Sequence, residues 1–264
     1  MKKTPSPKLP VLPLQLLIIL LVGLYWQYGL VDTHLFSRPS LIEPRLVELW
    51  NGAVGLPPLW RQVAETLGAT IAGLAAGILL GFLLGVVFAE FPLLRDASAP
   101  YLNAINAVPR VAWVPVLTMV FGFGLLTKVI MSGLIVFLVV FFNVLDAATH
   151  APPLLLRNVV VLGGGRWASM RDVRMWAGLG GLLASLPSAV ALALVGVVFA
   201  ESLAAESGLG ALMFNAMHTG DARDLMISAS LLALIGVVMT GSVQFLQRLL
   251  AARLPPDIAG ERHD

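Results

Sequence analysis

Residues 66–89 read TLGATIAGLAAGILLGFLLGVVFA, an uninterrupted run of 24 uncharged residues between Glu65 and Glu90. A predominantly apolar run of about 17 to 25 residues is long enough to cross the hydrocarbon core of a bilayer as a helix. Within lipid the backbone amides have no water to bind, so the segment must satisfy them internally. This stretch therefore predicts a membrane-spanning helix.

The composition of the whole chain agrees with a membrane protein. Of its 264 residues, 58% are hydrophobic and 12% are charged, and the mean hydropathy is +0.88. Soluble domains average about a quarter charged residues, so too few polar side chains remain here to cover a water-soluble core. A soluble enzyme is excluded. The chain has no cysteine, which excludes disulfides and thiolate metal sites, and its net charge of +2 does not indicate nucleic acid binding.

Five further charge-free intervals lie on either side of this segment. Together they predict an all-α membrane protein with six transmembrane helices in a single domain, 1–264. The predicted spans are residues 9–31, 64–89, 107–125, 127–145, 179–201 and 225–247, with a cytoplasmic loop at 146–178. The third and fourth intervals are short, and we expect Arg110 and Lys128 beside them to snorkel toward the interfaces. No small-x-small cleavage site follows the first run, which favours a retained helix over a signal peptide.

The basic residues predict the orientation. If the N-terminus is cytoplasmic, the inside segments carry eleven lysines and arginines and the outside segments carry five. Cytoplasmic loops are enriched in these residues. We therefore expect a multi-pass protein of the cell inner (plasma) membrane with both termini in the cytoplasm.

The second span has a glycine at every fourth position, which places all of them on one helix face. Small residues on one face let another helix approach closely, which is the usual route to tight packing in lipid. We interpret this face as a packing contact and not as a ligand site. The glycines are Gly73, Gly77, Gly81 and Gly85.

The third span contains Pro109 and Pro115 with Trp113 between them. Proline removes a helix amide, so we expect this helix to be bent or broken near its cytoplasmic half. Kinked helices often line transport pathways. They also arise from packing alone, and the sequence leaves both interpretations open.

The loop between the fourth and fifth spans is the longest connection predicted on the cytoplasmic side. After Pro152 and Pro153 it has an apolar stretch that contains Arg157, then three glycines, 163–165, and Arg166. This pattern predicts a helix, a glycine turn and a second helix from Trp167 onward. No strand precedes the glycines and no Gly-Lys-Ser/Thr follows them, so nucleotide binding by this chain is rejected.

This loop resembles the coupling loop of binding-protein-dependent ABC transporter permeases, whose pattern is Glu-Ala-Ala, three residues, Gly, nine residues, Ile-x-Leu-Pro. Gly163 takes the glycine position and Val173 the isoleucine position. Phe199-Ala200-Glu201 with Gly208-Leu209-Gly210, and the stretch 107–115 followed by Phe121-Gly122-Phe123-Gly124, resemble the nitrate/sulfonate/taurine-type branch. The resemblance covers roughly residues 35–250 and implies the type I ABC importer permease fold.

The same loop also departs from the family pattern. The family's glutamate falls on Arg157, its two alanines fall on Asn158 and Val159, and its Leu-Pro falls on Met175-Trp176. In the family this loop docks on a cytoplasmic ATPase, so the resemblance assigns coupling to the residues around the glycine turn. They are Arg157, Asn158, Val159, Gly163, Gly164, Gly165, Arg166 and Val173.

Glu201 lies at the outer end of the fifth span, where an acidic residue is often functional but can also simply mark the interface. By resemblance, Glu201, Gly208 and Gly210 form an outer gate or a docking element for a binding protein. We expect the other acidic and histidine residues of the last external segment to be spread along a solvated loop, not gathered into a metal site. They are Glu206, His218, Asp221 and Asp224.

The resemblance implies a transport permease. Two copies, or this chain with a paralogous partner, would form the path for a small solute such as nitrate, a sulfonate, taurine or a related small organic compound. An external binding protein would deliver the solute, and separate cytoplasmic ABC ATPase subunits would bind ATP, so no cofactor is expected in this chain. The alternative is a regulatory or assembly membrane subunit that kept the fold and lost ATPase coupling. An intramembrane enzyme is disfavoured, because the spans contain serines but no histidine that could act as their base.

Overall fold

The computed structural model describes residues 37–52, 55–204 and 207–251, together with residues 17, 21, 24, 25, 27 and 28 of the N-terminal apolar segment. The predicted first span, 9–31, otherwise lies outside the described residues. The regular elements are helical throughout the part described. They are α1 (Pro39–Asn51), α2 (Leu59–Glu90), α3 (Pro92–Ala107), a 3₁₀ turn (Arg110–Ala112), α4 (Trp113–Phe121), α5 (Leu125–Thr149), α6 (Pro153–Val161), α7 (Arg166–Ser169), a π-helical turn (Met170–Arg174), α8 (Met175–Ala204), α9 (Leu209–Thr219) and α10 (Ala222–Ala251).

Four of the described helical segments are long and apolar enough to cross a membrane. They are Leu59–Glu90, Leu125–Thr149, Arg166–Ala204 and Ala222–Leu249. A fifth candidate consists of α3 and the segment Arg110–Phe121, which meet at an angle of 91°. The prediction of an all-α membrane protein is therefore confirmed, while the number of six spans is not.

The bend in this fifth candidate lies at Pro109. Helix α3 ends at Ala107, and Val108 adopts an extended conformation with φ −68° and ψ 130°. A residue before proline is pushed out of the helical region by contact with the proline ring, which explains why α3 ends there. Pro115 is the third residue of α4, a position whose amide would have no partner within the helix, so it does not interrupt the helix.

Helix α5 lies at the centre of the bundle, and α2 packs against it through the glycine face. A Cβ atom added to any of these four glycines would come within 3.0 Å of a side chain on α5. The two backbones can therefore lie this close only because the glycines carry no side chain. The facing pairs are Gly73 with Ser132, Gly77 with Val136, Gly81 with Val140 and Gly85 with Val144.

Helix α8 approaches α5 from another side in the same way. A Cβ atom on Gly181 would lie 2.5 Å from the carbonyl oxygen of Asn143, and one on Gly196 would lie 3.1 Å from the Cα of Ser132. Small residues on α2 and α8 therefore set the distance of both helices from α5.

An ion pair joins α1 to the first turn of α10. The Nε and Nη2 atoms of Arg45 donate to the two carboxylate oxygens of Asp224 at 2.7 and 2.8 Å. Asp224 is buried, so the prediction that it lies on a solvated loop is wrong. Asp221 pairs instead with Arg223 at 2.8 Å, and Glu206 lies outside the described residues. The sequence could not reveal the contact with Arg45, because the two residues are 179 positions apart.

Candidate functional site

A group of buried and half-buried polar side chains lies at one end of the bundle, where α2, α5, α8 and the segment before α9 meet. It is called the Glu201 cluster here and consists of Glu65, Thr66, Lys128, Glu201 and Ser207. The carboxylate of Glu201 is fully buried, and the side chain of Lys128 is 4% exposed. The Nζ atom of Lys128 lies 3.2 Å from Oε1 of Glu201 and 3.6 Å from Oε2 of Glu65.

Neutral donors complete the environment of the Glu201 carboxylate. The hydroxyl of Thr66 lies 2.9 Å from both carboxylate oxygens, and the backbone N–H of Gly210 donates to Oε2 at 2.9 Å. The Thr66 oxygen in turn accepts from the N–H of Leu209 at 3.0 Å. A buried charge needs such partners because it has left its water.

The cluster holds the segment that leads into α9. Lys128 donates to the carbonyl oxygen of Ser207 at 2.7 Å, and the hydroxyl of Ser207 donates to Glu65. Gly208 adopts φ +117°, and a Cβ atom there would overlap the Glu201 carboxylate. Glycine is therefore required at this position by both backbone conformation and space.

The structure thus brings together Glu201, Gly208 and Gly210, the residues singled out at this end of the sequence. All three residues are buried, so none of them offers an open surface to a binding protein in this conformation. Sequence reasoning missed Lys128. It was expected to reach toward the interface, whereas its ammonium group points into the protein and pairs with Glu201. The available signal was an isolated lysine inside the otherwise uncharged stretch 111–145.

At the opposite end of α5, a helical hairpin connects α5 to α8. It is called the 153–169 hairpin here and contains α6, a glycine turn and α7. Gly163 adopts φ +81°, and its N–H donates to the carbonyl of Val160 at 3.0 Å, while the N–H of Gly164 donates to Val159 at 2.8 Å. These bonds close the C-terminal end of α6 in the manner that left-handed glycines allow.

The hairpin brings most of the predicted coupling residues together and exposes them. Arg157, Asn158, Gly163, Gly165 and Arg166 are exposed, and no residue of α6 is buried. Val173 is separate from them, since it is buried in the π-helical turn.

Apolar side chains accompany Arg157 on the hairpin surface. The exposed ones include Leu154, Val161, Leu162 and Trp167. An apolar exposed patch of this kind is typical of a surface that another protein or a membrane covers.

The chain belongs to the family of binding-protein-dependent transport system inner membrane components, whose pattern matches residues 77–255. Together with the apolar helices, this makes the protein a permease subunit of an ABC importer. The matched range includes α5, the 153–169 hairpin and the Glu201–Gly210 segment.

Curated relatives from several bacteria agree with this class. The chain is 33% identical over 243 residues to the riboflavin transport system permease protein RibX of Chloroflexus aurantiacus, covering 90% of this chain and 88% of that protein. It is 30% identical to a probable ABC transporter permease protein of Haemophilus influenzae, covering 82% and 87%. It is 24% identical to the taurine transport system permease protein TauC of Escherichia coli, covering 73% and 70%.

Solved structures share the fold. An inward-facing structure of the MetNI methionine ABC transporter superposes with a TM-score of 0.64 at 19% identity, covering 72% of this chain and 95% of that one. A crystal structure of an amino acid ABC transporter with histidines gives a TM-score of 0.55 at 16% identity, covering 81% and 98%.

Proposed function

We propose that this protein, with a second copy or a paralogous partner, forms the translocation path of an ATP-driven importer for a small organic solute. The observation that carries the proposal is membership in the inner membrane component family over residues 77–255. The path alternates its access while a separate cytoplasmic ABC ATPase hydrolyses ATP, and an external binding protein delivers the solute. Both termini face the cytoplasm in this arrangement.

We propose a substrate class for this importer from the names of its relatives. The riboflavin permease is 33% identical to this chain over 90% of its length. A second relative is SsuC of Bacillus subtilis, named as a putative aliphatic sulfonates transport permease protein. It is 24% identical over 57% of this chain. This difference favours a planar heterocyclic solute over a sulfonate. The comparisons give no support to a regulatory subunit that has lost transport.

The 153–169 hairpin is the element proposed to dock on the ATPase. Its exposed leucines and valines supply an apolar face, and Arg157 adds a positive charge to it. The family pattern has a glutamate at this position. We therefore propose that the ATPase surface that receives the hairpin, called the docking groove here, carries an acidic residue opposite the positive charge of Arg157.

Transport itself is tested with the purified complex. The tagged chain is isolated with the proteins that copurify with it and is reconstituted in proteoliposomes with its binding protein. We expect uptake of labelled riboflavin with ATP and none with a non-hydrolysable ATP analogue. Uptake of taurine but not riboflavin would overturn the substrate class. Absence of both a copurified ATPase and any uptake would favour the non-transporting alternative.

The docking proposal is tested at Arg157. Arg157→Glu should lower the amount of ATPase recovered per permease, and Arg157→Gln should lower it less, since glutamine removes the charge without reversing it. All three proteins are purified in the same detergent and salt. An unchanged or larger yield of ATPase with Arg157→Glu would contradict an acidic groove, even if riboflavin uptake is confirmed.

A further inference from the structure

Another ion pair that is largely shielded from solvent lies at the base of the 153–169 hairpin. The Nε atom of Arg174 donates to Oε2 of Glu90 at 2.8 Å, and the hydroxyl of Ser169 donates to the same oxygen at 3.0 Å. The Nη1 atom of Arg174 donates to the carbonyl oxygen of Ala148 at 2.8 Å. We call this group the Glu90–Arg174 clasp.

Besides Ser169 of α7, the clasp joins three elements, α2, α5 and the π-helical turn. Glu90 is the last residue of α2, Ala148 lies in the last turn of α5, and Arg174 ends the π-helical turn that leads into α8. The side chains of Glu90 and Arg174 are 8% and 17% exposed. At this burial a charge-assisted pair is screened little by water and holds its geometry.

Helix α6 of the hairpin is not packed into the core of the bundle, so it cannot act on the other helices directly. No residue of α6 is buried, so this helix has no packed core contact of its own. Its chain enters from α5 through Pro152 and Pro153 and leaves through α7 and the π-helical turn. π-helical turns of this kind are frequent at functional sites. The hydrogen bonds of Ser169 and Arg174 to the other helices are therefore where a displacement of the hairpin reaches them.

We propose that the Glu90–Arg174 clasp transmits the movement of the hairpin to α2 and α5 during ATP-driven transport, which makes Glu90 and Arg174 positioning residues for coupling. The inference rests on the proposed docking of the hairpin to the ATPase. The clasp does not belong to the docking surface, since its charged groups are directed between helices. Its loss should leave the ATPase bound while its movements no longer reach the membrane helices.

The same turn provides a matched control. Arg171 pairs with Asp172 at 2.7 Å, one turn from Arg174, but the two side chains are 62% and 45% exposed. Both residues belong to the same π-helical turn and contact neither Glu90 nor Ala148 through the bonds described. Arg171→Gln therefore removes an arginine and an ion pair from the turn without opening the clasp.

The test compares Glu90→Gln, Arg174→Lys and Arg171→Gln in the reconstituted complex with its ATPase and binding protein. Arg174→Lys keeps the charge but replaces the planar guanidinium, whose Nε and Nη1 atoms reach Glu90 and Ala148 separately, with a single ammonium nitrogen that cannot reproduce this geometry. This variant serves if Glu90→Gln fails to fold. We expect the first two variants to retain wild-type amounts of ATPase and to import about tenfold fewer solute molecules per ATP hydrolysed, given the usual strength of hydrogen bonds to charged groups. Arg171→Gln should behave as wild type.

The outcomes separate this inference from the proposed function. If the wild-type complex imports no solute, the proposed function fails, whatever the variants do. If the wild type imports and both clasp variants keep its ratio of solute to ATP, the clasp inference is overturned. Loss of the ATPase from both clasp variants would also overturn it, because the clasp would then build the docking surface and not transmit movement.

Discussion

Lys128→Met leaves the carboxylate of Glu201 inside the bundle without its cation. Removing one partner of a buried ion pair costs about 3 to 5 kcal/mol, because the remaining charge has no water. Glu201 retains the Thr66 hydroxyl and the Gly210 N–H, both at 2.9 Å, so we expect the low end, about 3 kcal/mol. For a chain of this size that lowers the unfolding midpoint by roughly 6 to 12 °C.

Removing the acidic partner instead, by Glu201→Gln, should destabilise the protein less than Lys128→Met does. In Glu201→Gln the ammonium of Lys128 keeps the Ser207 carbonyl at 2.7 Å and the Glu65 carboxylate at 3.6 Å. The double variant Lys128→Met/Glu201→Gln has no uncompensated charge and should be more stable than Lys128→Met alone. This recovery is the direct evidence that the two side chains interact.

The measurement is thermal unfolding of the purified variants in one detergent at one pH. Arg61→Met is the control, since Arg61 is exposed and pairs with Glu65 of the same cluster at 3.2 Å. Exposed pairs contribute under about 1 kcal/mol, so this midpoint should fall by no more than roughly 4 °C. Equal midpoints for Lys128→Met and Arg61→Met, or a double variant no more stable than Lys128→Met, would refute the reasoning.

Three further predictions use single substitutions. In this cysteine-free chain, cysteine at His218 should react with an impermeant reagent added outside the cell and cysteine at Val161 should not; the reverse pattern would invert the topology. Gly77→Leu should lower the yield of folded protein, because its side chain would meet Val136, whereas Gly68→Leu on the same helix faces open space and should not; equal yields would show that α5 can move aside. Gly163 has φ +81°, so Gly163→Val should strain the hairpin turn and uncouple ATP hydrolysis from import without removing the chain from the membrane. Normal coupling in this variant would show that the turn adapts.

The local features of this fold were predictable from the sequence. The charge-free run 66–89 predicts a membrane helix from its length alone, and the spacing of its glycines predicts a shared face. The turn at Gly163 is predicted by three successive glycines between two helical patterns. Each of these depends on neighbours within one helix or one turn, which a sequence displays directly.

The contacts between helices were not predictable in this way. Lys128 and Glu201 are 73 positions apart, and Glu90 and Arg174 are 84 apart. All four residues flank charge-free intervals, where a charged side chain is expected to reach water at the membrane interface. In the structure each of them instead forms an ion pair with an opposite charge on another element. Such pairing depends on which helices become neighbours, and no periodicity within a helix carries that information.

The glycine face of α2 also has a consequence for biosynthesis. Its partner surface on α5 is complete only when residue 149 has been made, and the stretch 91–149 takes a ribosome roughly 3 to 12 s at about 5 to 20 residues per second. During that interval the glycine face of α2 is exposed to lipid or to the insertion machinery. The nascent chain is then open to proteases that survey unassembled helices, and slower translation of α3 and α4 would lengthen the exposure. Protein yield should therefore depend on codon usage between Phe91 and Thr149 more than on codon usage after α8.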